Sequence, residues 1–302
     1  MKVQIITPYF GEIPPWLDYF ILSCSKNPQF QWLFYGDFNA SSVNCKNIQV
    51  IQATKEGFCK LATLKLGFGI KLDNPYKLCD FKPAFGKIFE DYLTDYDFWG
   101  YCDMDLIFGA IDKFVLPEYL EQFDIITTKV NYISGHFTLF RNIPLTTRLY
   151  KSIWNVKSIL KDYNKHFAID ELSNLIGRSL DPQQSHNNLI YKIYQKFLNS
   201  IKYRSLKNLP FQFDLTKVIQ HSEKRGEIKV LHIDCVRSDY FYLKQNLQEW
   251  DIEWNNGDLY DHTGSKNIMY FHFFMSKRKD LFQIMPIDNR SSFGISQNGI
   301  RN

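Results

Sequence analysis

Short apolar runs recur through the first hundred residues, each closed by glycine, proline or aspartate and separated by longer mixed stretches. Residues 3–7 predict a first strand, closed by Pro8-Tyr9-Phe10-Gly11. Pro14-Pro15 can open a helix, because proline is tolerated in a first turn, and Trp16, Phe20 and Leu22 carry it onward. Residues 30–35 predict a second strand ended by Gly36-Asp37, and residues 47–51 a third. Pro83 stands where the next helix should begin, with an apolar stripe at Phe85, Ile88, Phe89 and Tyr92. Phe98-Trp99-Gly100-Tyr101-Cys102 is a short aromatic run that predicts a buried strand, ending at Asp103-Met104-Asp105. Strands alternating with helices predict βαβ units, hence an α/β fold with a mainly parallel central sheet flanked by helices.

The second half is less regular. Residues 123–127, 136–140, 228–233 and 268–274 predict strands, and residues 169–176 and 188–198 predict helices. Residues 200–227 are rich in Lys, Asn and Gln and suggest a surface excursion. From 286 to 302 the chain is polar with little periodicity, which predicts a mobile C-terminal tail. No linker divides the rest. The expectation is one domain over 1–285, with a nucleotide-binding half at about 1–110 and an acceptor half at about 111–285.

Composition narrows the class. The chain has 302 residues and is 45% hydrophobic and 17% aromatic, too rich in packing groups for a disordered chain. Its net charge of +4 is too small to argue for nucleic acid. No run reaches the roughly 18 apolar residues of a membrane span, and the amino terminus is broken by Pro8 too soon for a secretory signal. Cys24, Cys45, Cys59, Cys79, Cys102 and Cys235 show neither zinc nor disulfide spacing, as reduced thiols of a cytoplasmic protein would.

Candidate chemistry begins at Asp103 and Asp105. Residues two apart in an extended chain share a side, and the carboxyl end of a buried strand is where open α/β sheets bind ligands. Two carboxylates there concentrate negative charge that a hard divalent cation offsets, and such a cation can grip a diphosphate. The plainer alternative is one helix-capping and one solvated aspartate. His272, in an aromatic strand, is either a core histidine or a cation ligand. Lys277, five positions on, turns the balance toward a cation-plus-phosphate site, although Lys277-Arg278-Lys279 also reads as a basic surface run.

With these motifs the chain resembles a GT-A-type, metal-dependent, nucleotide-sugar glycosyltransferase, with a Rossmann-like single domain. Its pattern is similar to that of the glycogenin and lipopolysaccharide galactosyltransferase family, which pairs an Asp-x-Asp near residue 100 with a late His-Phe-x-x-x-Lys. Here the second motif is His272-Phe273-Phe274-Met275-Ser276-Lys277. The resemblance implies that Asp103, Asp105 and His272 hold Mn2+ or Mg2+ and that Lys277 meets the diphosphate. Ile169-Asp170-Glu171-Leu172-Ser173-Asn174 is similar to that family's acidic Asp-Gln-Asp-x-x-Asn segment by the transferred sugar, without its glutamine. Asp170 and Glu171 are therefore the catalytic candidates. Cys79-Asp80-Phe81-Lys82 is similar to the Ser-Asp-x-x-Arg run of the initiating mannosyltransferase family, with lysine one position early, which makes Asp80 and Lys82 donor contacts. Ser134-Gly135-His136-Phe137 falls where such folds place a small-residue strand by the donor sugar. The chain also resembles bacterial families assigned to polysaccharide or lipopolysaccharide synthesis.

Three weaker candidates complete the set. Thr7 and Tyr9 follow the first strand, where a nucleotide-binding sheet meets the base. Asp37 follows the second and could meet ribose, or serve the turn. Trp254 to Tyr260 is a polar and aromatic turn that could touch acceptor. The expected activity is metal-dependent transfer of a sugar from a nucleoside diphosphate sugar, a UDP-sugar for preference, to a hydroxyl of a glycan or lipid-linked saccharide, with retention. The alternatives are a phosphatase of the haloacid dehalogenase type, which uses Asp-x-Asp after its first strand, and a nucleotide-sugar-binding protein without turnover. The basic run at 277–279 also suits peripheral contact with an anionic inner membrane.

Overall fold

The computed structural model describes residues 1–38, 45–170, 172, 212–245, 247, 249–273, 282–287 and 291–301. Among the described residues, sixteen strands form three sheets: β1 (Val3–Tyr9), β2 (Phe30–Gly36), β3 (Ile48–Gln52), β4 (Phe98–Cys102), β5 (Leu106–Phe108), β6 (Ile125–Thr127), β7 (Phe137–Arg141), β8 (Val230–His232), β9 (Val236–Ser238), β10 (Asp251–Asn255), β11 (Asp258–Asp261), β12 (Lys266–Asn267), β13 (Tyr270–His272), β14 (Gln283–Ile284), β15 (Ser292–Ser296) and β16 (Gly299–Arg301). The largest sheet runs β3-β2-β1-β4-β7-β6-β8. Strands β1 to β4 are joined in parallel, β7 runs antiparallel between β4 and β6, and β8 is parallel to β6. The sheet is thus mainly parallel, as the alternating pattern predicts, and helices pack on it. Aromatic strands such as Phe98–Cys102 are buried along their whole length, the pattern of a sheet covered on both faces.

The helices α1 (Leu17–Ser25) and α2 (Lys55–Leu66) connect the first strands. The Thr54 side chain accepts from the Gly57 amide to cap α2, and Gly67 ends it at φ 78°. The helix expected from Pro83 is broken up. A 3-10 segment, Pro75–Ala84, leads into one α-turn at Phe85–Ile88 and a further 3-10 turn at Glu90–Tyr92. Crowding explains part of this: a Cβ on Gly86 would lie 2.4 Å from the Trp99 ring, so this segment presses directly onto β4.

Two corrections concern the later chain. Within the expected surface excursion at 200–227, Leu215–Lys224 is a helix that buries Leu215, Val218 and Ile219. The expected tail at 286–302 contributes β15 and β16 to a six-stranded sheet ordered β12-β11-β10-β15-β16-β14. Its Phe293, Ile295 and Ile300 join the core with Trp250, Trp254 and Phe271. Their apolar positions alternate with small residues over too few positions to stand out as a period. The helices expected at 169–176 and 188–198 fall largely or wholly outside the described residues.

The third sheet, β5-β13-β9, sets the candidate site. His272 pairs in register with Leu106, and the Phe273 amide donates to the Asp105 carbonyl at 3.2 Å. A strand from near residue 270 is thereby laid along the chain that leaves β4.

Candidate functional site

In the strand order 3-2-1-4, the connections leave in opposite directions from β1 and open a crevice at the carboxyl edge, where α/β sheets receive ligands. A cavity of about 600 Å3 lies there, lined by Thr7, Tyr9, Lys82, Asp103, Asp105, Asp170 and His272 among others. The edge is tightly closed behind the cavity. Gly36 ends β2 at φ 143°, and a Cβ there would fall 1.8 Å from the Tyr9 carbonyl oxygen, so only glycine lets β1 and β2 finish side by side.

The Asp-x-Asp follows β4 directly. The Asp103 amide donates to the His136 carbonyl at 3.1 Å, and Trp16 Nε1 donates to the Met104 carbonyl at 2.9 Å, so both flanks of the motif are pinned. Asp105 is 5% exposed, and its Oδ2 lies 3.1 Å from His272 Nε2. Asp103, Asp105 and His272 each offer one ligand atom within 4.8 Å of the others. Two carboxylates and an imidazole make an oxygen-and-nitrogen donor set that suits a divalent cation such as Mn2+, and less well Mg2+, which prefers oxygen alone. The set fits the ion that the sequence suggests.

Lys82 stands beside this group. Its buried Nζ lies 2.7 Å from Asp103 Oδ1 and 3.0 Å from Asp170 Oδ2, and donates to the Gly135 carbonyl at 2.7 Å. Burial by itself lowers the pKa of such an amine, but Asp103, Cys79 and Asp170 act the other way and the net shift is well upward, so the ammonium is retained. Lys82 therefore ties the first aspartate of Asp-x-Asp to Asp170.

Asp80 lies behind the cavity wall. It is fully buried and paired with Lys77 at 2.7 Å. Its carboxylate accepts from the Phe167 amide at 2.9 Å and the Ile169 amide at 3.2 Å. Those two amides flank Ala168, whose φ of 54° is unusual for a residue with a side chain. Asp80 thus clamps a turn whose next residue is Asp170. Asp80, His166 and Asp170 also come within ligand distance of one another, but Lys77 and Lys82 already balance the two carboxylates.

The remaining candidates divide. Thr7 is buried with its Oγ1 3.1 Å from Cys102 Sγ, and Tyr9 donates its hydroxyl to the Glu12 carbonyl at 2.6 Å; both line the cavity. Asp37 does not, and its Oδ2 accepts from the Gly11 amide at 2.9 Å, the turn role allowed by the sequence. Trp254 is buried, donates Nε1 to the Phe108 carbonyl at 2.9 Å and stacks on Phe293, so the expected acceptor turn is a hairpin anchored in the core. Glu171 and Lys277 lie outside the described residues.

Other cavity residues carried little sequence signal. His136 Nδ1 lies 2.7 Å from the Tyr270 hydroxyl and 3.1 Å from Ser134 Oγ, and its ring centroid is 4.6 Å from that of His272. Its place just before β7 was visible, but its pairing with residues 134 positions away was not. Lys129 and His166 also line the cavity from loops, and Tyr240 from the short helix Asp239–Lys244, none of them within a motif.

A family model described as a family of unknown function, DUF6625, matches residues 5–302, and the chain belongs to that family. No curated protein matches it in sequence. Among solved structures, apo mouse xyloside xylosyltransferase 1 is similar over 92% of this chain and 100% of its own, with 8% identity and a TM-score of 0.43. Galactosyltransferase LgtC, solved with donor and acceptor sugar analogues, is similar over 90% of this chain and 87% of its own, with 10% identity and a TM-score of 0.38. Apo glycosyltransferase GlyE of Streptococcus pneumoniae TIGR4 is similar over 79% of this chain and 68% of its own, with 9% identity and a TM-score of 0.27.

Proposed function

We propose that this member of the DUF6625 family transfers a sugar from a nucleoside diphosphate sugar, with UDP as the preferred carrier, to a hydroxyl of a saccharide, using Mn2+ or Mg2+. The observation that carries this reading is the convergence of Asp103, Asp105 and His272 at the switch-point cavity, from segments far apart in the chain. The bound cation would offset the charge that grows on the departing diphosphate. Asp103, Asp105 and His272 would hold it, and the motif assigns Lys277 to the same phosphates. Lys82 orients Asp103 and Asp170 through its two ion pairs. Thr7 and Tyr9, at the end of β1, face the nucleoside.

The motif assigns Asp170 and Glu171 to the transferred sugar, and Asp170 lines the cavity. Asp170, tied to Lys82 at 3.0 Å, serves to stabilise positive charge on the sugar. Transfer then proceeds with retention, and the leaving phosphate oxygen takes the acceptor proton. The acceptor is a glycan or lipid-linked saccharide, used at the cytoplasmic side of the membrane. No described helix is long and apolar enough to cross a membrane; the basic run at 277–279 would give a peripheral contact with an anionic membrane surface. The phosphatase alternative is disfavoured because the motif follows β4 and not β1.

The deciding experiment is a thermal-shift panel of UDP-, GDP- and CMP-sugars with and without Mn2+, followed by UDP release. A ligand that binds only the folded state raises its stability by mass action. The expected result is a rise in melting temperature for a UDP-sugar that requires Mn2+, and slow UDP release that Asp103→Ala abolishes. Near-native release from Asp103→Ala with Mn2+ would overturn the assignment, and binding without any release would favour the non-catalytic reading.

A further inference from the structure

The donor chemistry accounts for the floor of the cavity, around the aspartates, Lys82 and His272. It does not account for Tyr76. This large aromatic side chain lines the same cavity yet is 52% exposed. Exposed tyrosines are common, but this one is held unusually well. Its amide donates to the Asn74 side chain at 2.9 Å, with Pro75 fixing the first position of the 3-10 segment. The next residue, Lys77, is fully buried and locked to Asp80 and to the Ile159 carbonyl, each at 2.7 Å. The Tyr76 ring meets the His166 ring edge-on at 5.0 Å. A rigid aromatic surface at a cavity mouth loses little conformational freedom when something stacks on it.

The chemistry around it selects the occupant. Pro75, Tyr76, Leu78 and Cys79 form an uncharged stretch of the lining. Among the titratable lining residues, Lys82 and Asp170 are paired with each other, and His166, which meets Tyr76, lies 3.8 Å from the Asp80 carboxylate. Sugars offer such a surface an apolar face of C–H groups rimmed by hydroxyls, and an anionic headgroup would find no unpaired cation in this stretch. Tyr76 also precedes Lys82 by six residues of 3-10 backbone, which at roughly 2 Å per residue places it about 12 Å along the segment. That is further than one sugar ring seated at the reacting centre extends.

We infer that Tyr76 is a stacking platform for the acceptor, and that the acceptor is a neutral oligosaccharide whose penultimate or third ring rests on Tyr76 while its terminal hydroxyl enters the site. This rests on the transferase reading above and names the substrate class of that site.

Saturation-transfer NMR on the full chain, in the presence of UDP and diamagnetic Mg2+, tests it with glucose, lactose and maltotriose as probes. Lactose or maltotriose should show strong ring-proton saturation, and glucose little. Tyr76→Ala should reduce the oligosaccharide signal at least fivefold, while Tyr76→Trp and Tyr76→Phe retain it, because the ring and not the hydroxyl is required. UDP saturation reports donor binding independently. If UDP signals are present but neither oligosaccharide saturates, or glucose saturates equally, or Tyr76→Ala matches the parent, the inference is overturned while the transferase reading stands. If UDP gives no signal in the parent protein, the transferase reading itself fails and the inference falls with it.

Discussion

Lys82 and Asp80 divide between them the work that sequence comparison assigned jointly to donor contact. Lys82 faces the cavity, between Asp103 and Asp170. Asp80 is buried behind it and holds the 166–170 turn. Removing one partner of a buried pair leaves an uncompensated charge, at a cost of about 3–5 kcal/mol. Asp80→Ala should therefore lower the unfolding free energy measured by urea titration by an amount in that range and also weaken transfer, because Asp170 loses its support. A near-neutral urea titration would show that Lys77 and the two amides find other partners. Asp105→Asn belongs to a different class. Its position leaves the backbone bonds of the motif intact, so folding should be little changed. Transfer should fall by about 100-fold or more, the usual scale for losing one preorganised electrostatic group. Kinetics over a Mn2+ titration would check this, with activity restored by added Mn2+ pointing to weakened ion binding.

Among the elements, those made of one continuous apolar run were legible. β1, β2 and β4 are each five to seven residues long and nearly all buried, so composition alone marks them. β5 and β9 have three residues each and only pairing defines them, whereas β13, also of three residues, falls within the strand expected at 268–274. β15 alternates Phe293 and Ile295 with smaller residues, a period-two signal too short to outweigh its polar surroundings. The Asp-x-Asp was legible because it ends a recognisable strand. His272 was legible only through its motif, since nothing local says that β13 lies along β5. Two substitutions probe these elements. Thr54→Ala removes the cap of α2 and should cost about 1 kcal/mol in chemical denaturation. Gly86→Ala drives a methyl group into the Trp99 ring, which stacks on Phe140 at 4.4 Å. Such overpacking should cost about 1–3 kcal/mol and disturb β4, detectable as a change in tryptophan fluorescence. A Gly86→Ala protein with native fluorescence and stability would show that the helical turn can move away.

At the scale of the molecule, buried titratable groups shape the alkaline response. Burial pushes the thiols of Cys24, Cys102 and Cys235 above their ordinary 9.0, that of Cys235 to about 12. In the unfolded chain these thiols lose their protons near pH 9, while in the folded protein they keep them. The unfolded state then binds fewer protons, and stability falls as pH rises. Lys82, held above its ordinary 10.5, adds a loss of the same sign from that value upward. Urea midpoints should hold level up to about pH 8.5, decline past pH 9 and steepen beyond 10.5. A midpoint that rises between pH 9 and 11 would contradict the assignment of these groups.

The hydrogen bond between Asp105 and His272 spans 167 positions. Everything needed for the central strands and both aspartates is present once the first 110 residues or so have been synthesised, yet the imidazole wall arrives only with the last tenth of the chain. A polypeptide cut short at residue 250 would keep the acidic half of the site and lack its partner. On the proposed reading, a cation would find its full set of ligands only after residues near 270 have docked against those near 105.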